Sequence, residues 1–347
     1  MELARDIAVQ RRERGFPKSF FVNYPKNSTR KIFDLAKLLH DEGLCRGTTL
    51  SMQSYDEQTL VNVRRGNIKL DTYRELQKLY NDAGVPVYSE LILGLPGESL
   101  DSFCAGIDTA IDAGQHDRLL IYLCRVLPGT EMAEPAYRLA HGIETVRLPI
   151  QANHGSLDVA TVGPVEFEET VVATKTMPHA DWLACQRIAW FVEVFFVLGI
   201  ARLPLLWLRE RGVKVTEFAR WALRCDVLDR ARIEAYLASQ DAGTPAVPRD
   251  GLDVFGKIRW PIEEASWLAL MAAKDATYVE LSSLLRGFID ARGLSLMGLL
   301  SLVENAQHVK HWTTEPEGSP TRDPATFARE VLWYGRRGGS MLRPEES

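Results

Sequence analysis

The chain has 347 residues, 46% of them hydrophobic and 25% charged. That is enough apolar material for a sizeable core in one large or two smaller domains, and it excludes a mainly disordered, collagen-like or purely coiled-coil protein. Forty-one Lys and Arg stand against 46 Asp and Glu, a net charge of −5, so without a local basic patch nucleic acid is not an expected partner. The five cysteines, Cys45, Cys104, Cys124, Cys185 and Cys225, are odd in number and form no CxxC pair. That usage suits a reducing cytoplasm better than a disulfide scaffold. Met1–Gly15 is polar and mixed in charge, with no apolar run of an export signal. The most apolar stretch, Ile188–Leu208, is interrupted by Glu193, Arg202 and Pro204. Each charge near a bilayer centre costs about 2.5–3.5 kcal/mol, so the stretch is read as a buried helix and no membrane contact is expected.

The first 150 residues repeat one unit: a short apolar strand, a turn, then an amphipathic helix. Strands are predicted at Ser19–Tyr24, Gly47–Met52, Pro86–Leu93 and Arg118–Val126. A helix over Ser28–Asp41 places Ile32, Leu35, Ala36 and Leu39 on one face and ends at Gly43. The next begins at Ser54, whose spacing to Glu57 is that of a capping box, and stops at Gly66. A third covers Asp71–Ala83 before Gly84, and a fourth opens at Ser99, turns Phe103, Ile107, Ala110 and Ile111 inward, and ends at Gly114. This alternation predicts parallel βα units and an α/β fold.

From about Ile150 the pattern changes. Glu166–Thr174 reads as a strand or the start of a helix. After Pro178, helical periodicity covers His179–Ile200, Thr216–Cys225, Asp229–Ser239, Pro261–Ala273, Thr277–Arg292 and Ala325–Tyr334. The expected division is therefore 1–150 for the βα part and 151–347 for a mostly helical domain.

In parallel βα folds the working residues gather at the carboxyl ends of the strands. Strand one ends in Asn23 and strand two in Ser51 and Gln53. Strand three carries Glu90 and runs into Gly94-Leu95-Pro96-Gly97-Glu98. An acid within an apolar strand is costly unless something pairs with it. Either the hydroxyls of a ligand or a buried ion pair with Arg64 or Arg65 would serve. Elsewhere, Cys124 reads as a core thiol before a proton donor, and the aromatic group Trp190, Phe191, Phe195 and Phe196 as core packing. His308 and His311 are one helical turn apart but lack a third metal ligand. His154 follows the sheet as a candidate substrate contact, and Arg336 and Arg337 read as an exposed tail.

The run Ser89-Glu90-Leu91-Ile92-Leu93-Gly94-Leu95-Pro96-Gly97-Glu98-Ser99 resembles the fifth-strand motif of radical S-adenosylmethionine (SAM) enzymes. Leu50-Ser51-Met52-Gln53-Ser54, with Arg64-Arg65-Gly66-Asn67 after the helix, is similar to their fourth-strand ribose motif. Phe21–Tyr24 matches the third strand and Leu120–Val126 the sixth. His179-Ala180-Asp181-Trp182 and Tyr334–Gly339 look most like the subgroup that carries an amino-terminal cobalamin-binding domain. The resemblance implies a partial parallel βα (TIM-like) barrel of the radical SAM core joined to a helical carboxyl-terminal domain. It places the methionyl carboxylate and ribose of SAM against Gln53 and Arg65, the ribose hydroxyls on Glu90, and the adenine under Ile92. Ser51, Asn23 and Gly94 line the same cofactor site.

The resemblance also implies a 4Fe-4S cluster held by CxxxCxxC, a cobalamin and a small-molecule substrate. The chain has no CxxxCxxC, and thiolates are the ligands such clusters need. The expectation is therefore the back half of a longer radical SAM enzyme, with the missing half supplied by upstream sequence or by a separate chain. When complete, such an enzyme generates a 5′-deoxyadenosyl radical from SAM, and with cobalamin carries out methyl transfer or rearrangement. Two other readings stand beside it: a non-catalytic module whose helical domain binds a partner protein, and an unrelated α/β enzyme using Glu90 and Arg65 as an acid–base pair.

Overall fold

The computed structural model describes residues 1–22, 24, 29–45, 47–116, 118–150, 166–224, 261–272 and 274–294. These fall into two units. One comprises Met1–Ile92 and Ala105–Tyr122, the other Leu93–Cys104 and the described part of Leu123–Pro324. Asn23, His154, His308, His311, Arg336 and Arg337 lie outside the described residues, as do the helices expected at Asp229–Ser239 and Ala325–Tyr334.

The first unit opens with helix α1 (Glu2–Arg14). Its small residues Ala4 and Ala8, one turn apart, pack against Leu39 of the following helix and Leu44 of the turn after it. Arg11 spans the junction, donating to the carbonyls of Glu42, Pro17 and Lys18, each at 2.9 Å. The strand expected at Ser19–Tyr24 is absent from the described residues of that segment. Among its described residues, Phe20 N–H donates to the Leu44 carbonyl at 2.7 Å.

Helix α2 (Arg30–Asp41) buries Phe33, Ala36 and Leu39, close to the expected face. Strand β1 (Thr48–Thr49) pairs in parallel with β2 (Val87–Leu93), and β3 (Arg118–Leu123) completes a three-stranded sheet in the order β1-β2-β3. Between the strands run α3 (Glu57–Asn62), α4 (Leu70–Ala83, ended by Gly84 at φ 67°) and α5 (Leu100–Asp112). Leu50, Met52, Val85 and Val87 pack with Phe33, Tyr73, Leu76 and Tyr80 of the helices. Burial of side chains this size contributes about 1.5–3 kcal/mol each. Helix α3 starts later than the capping box at Ser54 predicts. Asp56 is the cap, accepting from Thr59 N–H at 2.7 Å, while the Ser54 hydroxyl accepts from Asp56 N–H at 3.1 Å.

The fourth predicted strand, Arg118–Val126, is two strands. Cys124 marks the break, its N–H donating to the Leu93 carbonyl at 2.8 Å and its own carbonyl accepting from Val171 N–H at 2.9 Å. Beyond it, β4 (Arg125–Val126) joins an antiparallel sheet in the second unit, in the order β4-β6-β5. Glu166–Thr174 resolves as the strand β6 (Phe167–Ala173). Its partner β5 (Glu144–Pro149) follows a short helix, α6 (Pro135–His141).

The apolar stretch read as one buried helix is bent. Helix α7 (His179–Phe191) runs into a π-helical turn (Val192–Val197), and α8 (Arg202–Glu210) leaves it at 102°. Gly199, at φ 93°, makes the corner, and Pro204 falls in the first turn of α8, where its missing N–H costs nothing. Arg202 donates to the carbonyls of Phe196 and Val197, which the bend leaves open. Among the described residues no single helix is long and apolar enough to cross a membrane. The bent pair passes that test by length and composition only. Helices α9 (Val215–Ala222), α10 (Ile262–Ala272) and α11 (Lys274–Arg292) complete the described second unit. Phe191 stacks on Phe195 at 4.6 Å and Phe218 meets Phe288 edge-on at 5.1 Å, the core packing expected of these aromatics.

Candidate functional site

Along β2 the side chains alternate. Val87, Ser89, Leu91 and Leu93 are buried, whereas Tyr88, Glu90 and Ile92 are half-exposed on the opposite face. Period-two alternation puts the acid on the open side, so Glu90 is not an acid sunk in the core. Its carboxylate accepts a hydrogen bond from the Ser51 hydroxyl at 3.0 Å. No direct ion pair joins it to Arg65, although its charge acts on that guanidinium, which corrects the buried-pair alternative.

Just past β1 the register slips by one residue, from Thr49 opposite Tyr88 to Gln53 opposite Leu91. Gln53 absorbs the extra residue by adopting a left-handed conformation, φ 60°, uncommon for a side chain other than Gly, Asn or Asp. Its N–H donates to the Glu90 carbonyl and its carbonyl accepts from Ile92 N–H, both at 2.9 Å. Leu50, Met52 and Ser54 stay buried while Ser51 and Gln53 remain half-exposed.

The short helix α3 returns the chain to this strand end. Arg64 (φ 51°) is exposed, and Arg65 is the arginine that turns in. Arg65 donates through Nε to Asn67 Oδ1 at 2.7 Å and through Nη2 to the Ser51 carbonyl at 3.2 Å. Its Nη1 is buried with no protein partner. Burial pulls the Arg65 pKa down, and the nearby Glu90 carboxylate pulls it back up. A half-buried guanidinium with one nitrogen left unpaired is the kind of group an anionic oxygen satisfies.

Ser51, Gln53, Arg65, Glu90 and Ile92 are therefore brought together within the first unit. Gly94 belongs to the second. At φ 97° it requires the freedom of glycine, and a Cβ there would touch Cys124 and Val171 at 3.5 Å. Asn67, two residues beyond Arg65 and without a role in the resemblance, also bonds into this group.

The described residues do not fit an iron–sulfur cluster. Among them no three His, Cys, Asp or Glu are grouped closely enough to hold a metal. Cys45, Cys104, Cys124 and Cys185 are free thiols. Burial pushes the pKa of Cys124 up to about 12 and those of Cys45 and Cys185 upward as well, the opposite of what thiolate ligands need.

The strand ends of this parallel βα unit therefore present a carboxylate, a guanidinium with one unpaired nitrogen and a left-handed glutamine. Comparison with known proteins identifies the company such a chain keeps. It is 31% identical over 370 residues to the cobalamin-dependent radical SAM methyltransferase TokK of Streptomyces tokunonensis, covering 99% of this chain and 52% of that protein. It is 33% identical over 368 residues to the 2-(S-pantetheinyl)-carbapenam-3-carboxylate methyltransferase of Streptantibioticus cattleyicolor, covering 99% and 53%. A shorter match, 30% over 97 residues, links it to a tRNA-2-methylthio-N(6)-dimethylallyladenosine synthase of Dehalococcoides mccartyi, covering 27% of this chain and 22% of that one. Among solved structures, the radical SAM methyltransferase TsrM of Kitasatospora setae, with tryptophan and a SAM analogue bound, aligns with a TM-score of 0.35 at 18% identity, over 55% of this chain and 39% of that chain. No protein-family model matches. The resemblance carried by the motifs is thus matched along nearly the whole chain by a cobalamin-dependent radical SAM methyltransferase and by a second methyltransferase. The chain spans about half the length of the curated relatives it matches.

Proposed function

We propose that this chain supplies the SAM-holding strand ends of a cobalamin-dependent radical SAM enzyme that methylates a small molecule, its βα unit forming part of the enzyme's barrel. The observation that supports this most directly is the site around Glu90, in which each polar group has a counterpart on SAM. The uncommitted Nη1 of Arg65 suits the methionyl carboxylate. The Glu90 carboxylate, oriented by Ser51, has lone pairs left for two ribose hydroxyls. Ile92, on the same face of β2, offers an apolar cover for the adenine, and Gln53 borders the carboxylate end. SAM held there supplies the group that is transferred. The chain's own residues bind and orient it and keep part of it from water. Cys45, Cys124 and Cys185, with raised thiol pKa values, are not suited to hold the cluster.

The test is calorimetric titration of SAM into the protein in its full gene context, beside the variants Glu90→Ala and Arg65→Ala. Loss of a charged hydrogen bond costs about 1.5–3 kcal/mol, so each variant binds roughly ten- to more than a hundredfold more weakly. Equal affinity in all three proteins would show that these residues are structural.

A further inference from the structure

We propose that Asn67 is a positioning residue for SAM: its amide brackets the bend that carries Gln53 and, from the other side, aims the guanidinium of Arg65 at the ligand's carboxylate. This rests on the function proposed above. The amide Nδ2 donates to the Met52 carbonyl at 2.6 Å and to the Ser54 carbonyl at 3.1 Å, the two residues that flank the left-handed Gln53. Its Oδ1 accepts from Arg65 Nε at 2.7 Å. All three bonds fit one orientation of the amide. The reversed amide would set an oxygen against two carbonyls and an NH2 against a cation. One side chain therefore ties two site residues that approach from different elements, Gln53 from the end of β1 and Arg65 from beyond α3.

The consequence for Arg65 is specific. With Nε held by Asn67 and Nη2 by the Ser51 carbonyl, the plane of the guanidinium is fixed and Nη1 is the donor left over. Such a side chain gives up little rotamer freedom when it meets a carboxylate, which is how a preorganised group gains affinity. Without Asn67, Arg65 keeps its charge but loses its direction, and the Met52–Ser54 bend loses its clasp.

The experiment compares SAM with decarboxylated SAM in ligand-observed NMR titrations of the protein in its full gene context. The readout is the ratio of the two dissociation constants for wild type, Asn67→Ala, Arg65→Ala and the double variant, with near-UV circular dichroism as the folding control. Wild type is expected to prefer SAM by about tenfold or more, the size of a charge-assisted contact. Asn67→Ala is expected to bring that ratio down to within about twofold of the Arg65→Ala value, with no further fall in the double variant, since one interaction cannot be lost twice. Should Asn67→Ala fail to fold, Asn67→Asp takes its place. It keeps the volume and the acceptor, loses both donors and pairs with the Arg65 charge, so the preference for SAM falls there too. An Asn67 variant that weakens both ligands equally, or adds its loss to that of Arg65→Ala, overturns the positioning role. If Arg65→Ala itself leaves the ratio unchanged, the underlying assignment of the carboxylate site fails and the proposal falls with it.

Discussion

Gln53 carries the chain past β1 at φ 60°, a conformation in which its Cβ crowds the backbone. The strain follows from the register slip against β2, and it holds the side chain on the open face beside Glu90. Glycine at the same position is free of that crowding. Gln53→Gly is therefore expected to be more stable than Gln53→Ala by about 1 kcal/mol in urea unfolding, although neither restores the amide. Equal stabilities would mean that the left-handed turn is not kept. Arg65 argues similarly from geometry. Its three guanidinium nitrogens stand in three situations: Nε bonds to Asn67, Nη2 to the Ser51 carbonyl, and Nη1 is buried without a protein partner. Arg65→Lys should then bind SAM no better than about threefold tighter than Arg65→Ala, because an ammonium on a flexible stem cannot serve all three. Recovery to wild-type affinity would mean that charge alone suffices.

At the level of elements, helix α3 depends on its cap. Asp56 accepts from both the backbone and the hydroxyl of Thr59 at 2.7 Å, and this turn delivers Arg65 and Asn67 to the strand end. Asp56→Ala is expected to cost about 1 kcal/mol, with Ser54→Ala costing less, by chemical denaturation. The reverse order would restore the capping box at Ser54. The spacing from Ser54 to Glu57 is legible in sequence, but Asp56 offers a shorter reach to the same first turn, and only the folded backbone chooses between them. The break at Cys124 is of the same kind. Leu119–Val126 reads as one apolar run, yet the peptide of Cys124 bonds to Leu93 on one side and Val171 on the other. The second of these partners is 47 residues away in sequence, beyond the reach of any local pattern.

For the whole molecule, the buried titratable groups set a pH dependence. The folded pKa of Cys124 is raised from 9.0 to about 12 and that of Tyr80 from 10.0 to about 12, both chiefly through burial. In each case the folded state keeps a proton that the unfolded chain releases, so their contribution is complete below about pH 9 and is lost as pH rises towards 12. Denaturation midpoints are expected to fall steadily across pH 9–11, with a shallower fall in Cys124→Ala. A flat profile would contradict the burial of these groups. The same buried thiols bear on metal chemistry. Anaerobic reconstitution of this chain with iron and sulfide should yield no stable 4Fe-4S absorption or EPR signal. A cluster lost on replacing Cys45 or Cys124 would overturn that expectation.

The parts of this protein that local chemistry governs are readable without a structure. Apolar spacing along α2, α4 and α5 dictates their buried faces, alternation along Val87–Leu93 makes a strand, and glycines such as Gly84 stop helices whatever surrounds them. The polar residue types of the strand ends, with Ser51 and Gln53 on one strand and Glu90 on the next, follow from the same spacing and from the motifs they match. Tertiary structure alone decided that Glu90 takes a serine for its partner, that Asn67 ties Arg65 to the Gln53 bend, and that the apolar stretch after Ile188 bends by 102°. Each of these depends on a partner many residues away or on a carbonyl that becomes free only when a neighbouring element ends, and one-dimensional patterning carries no record of such partners.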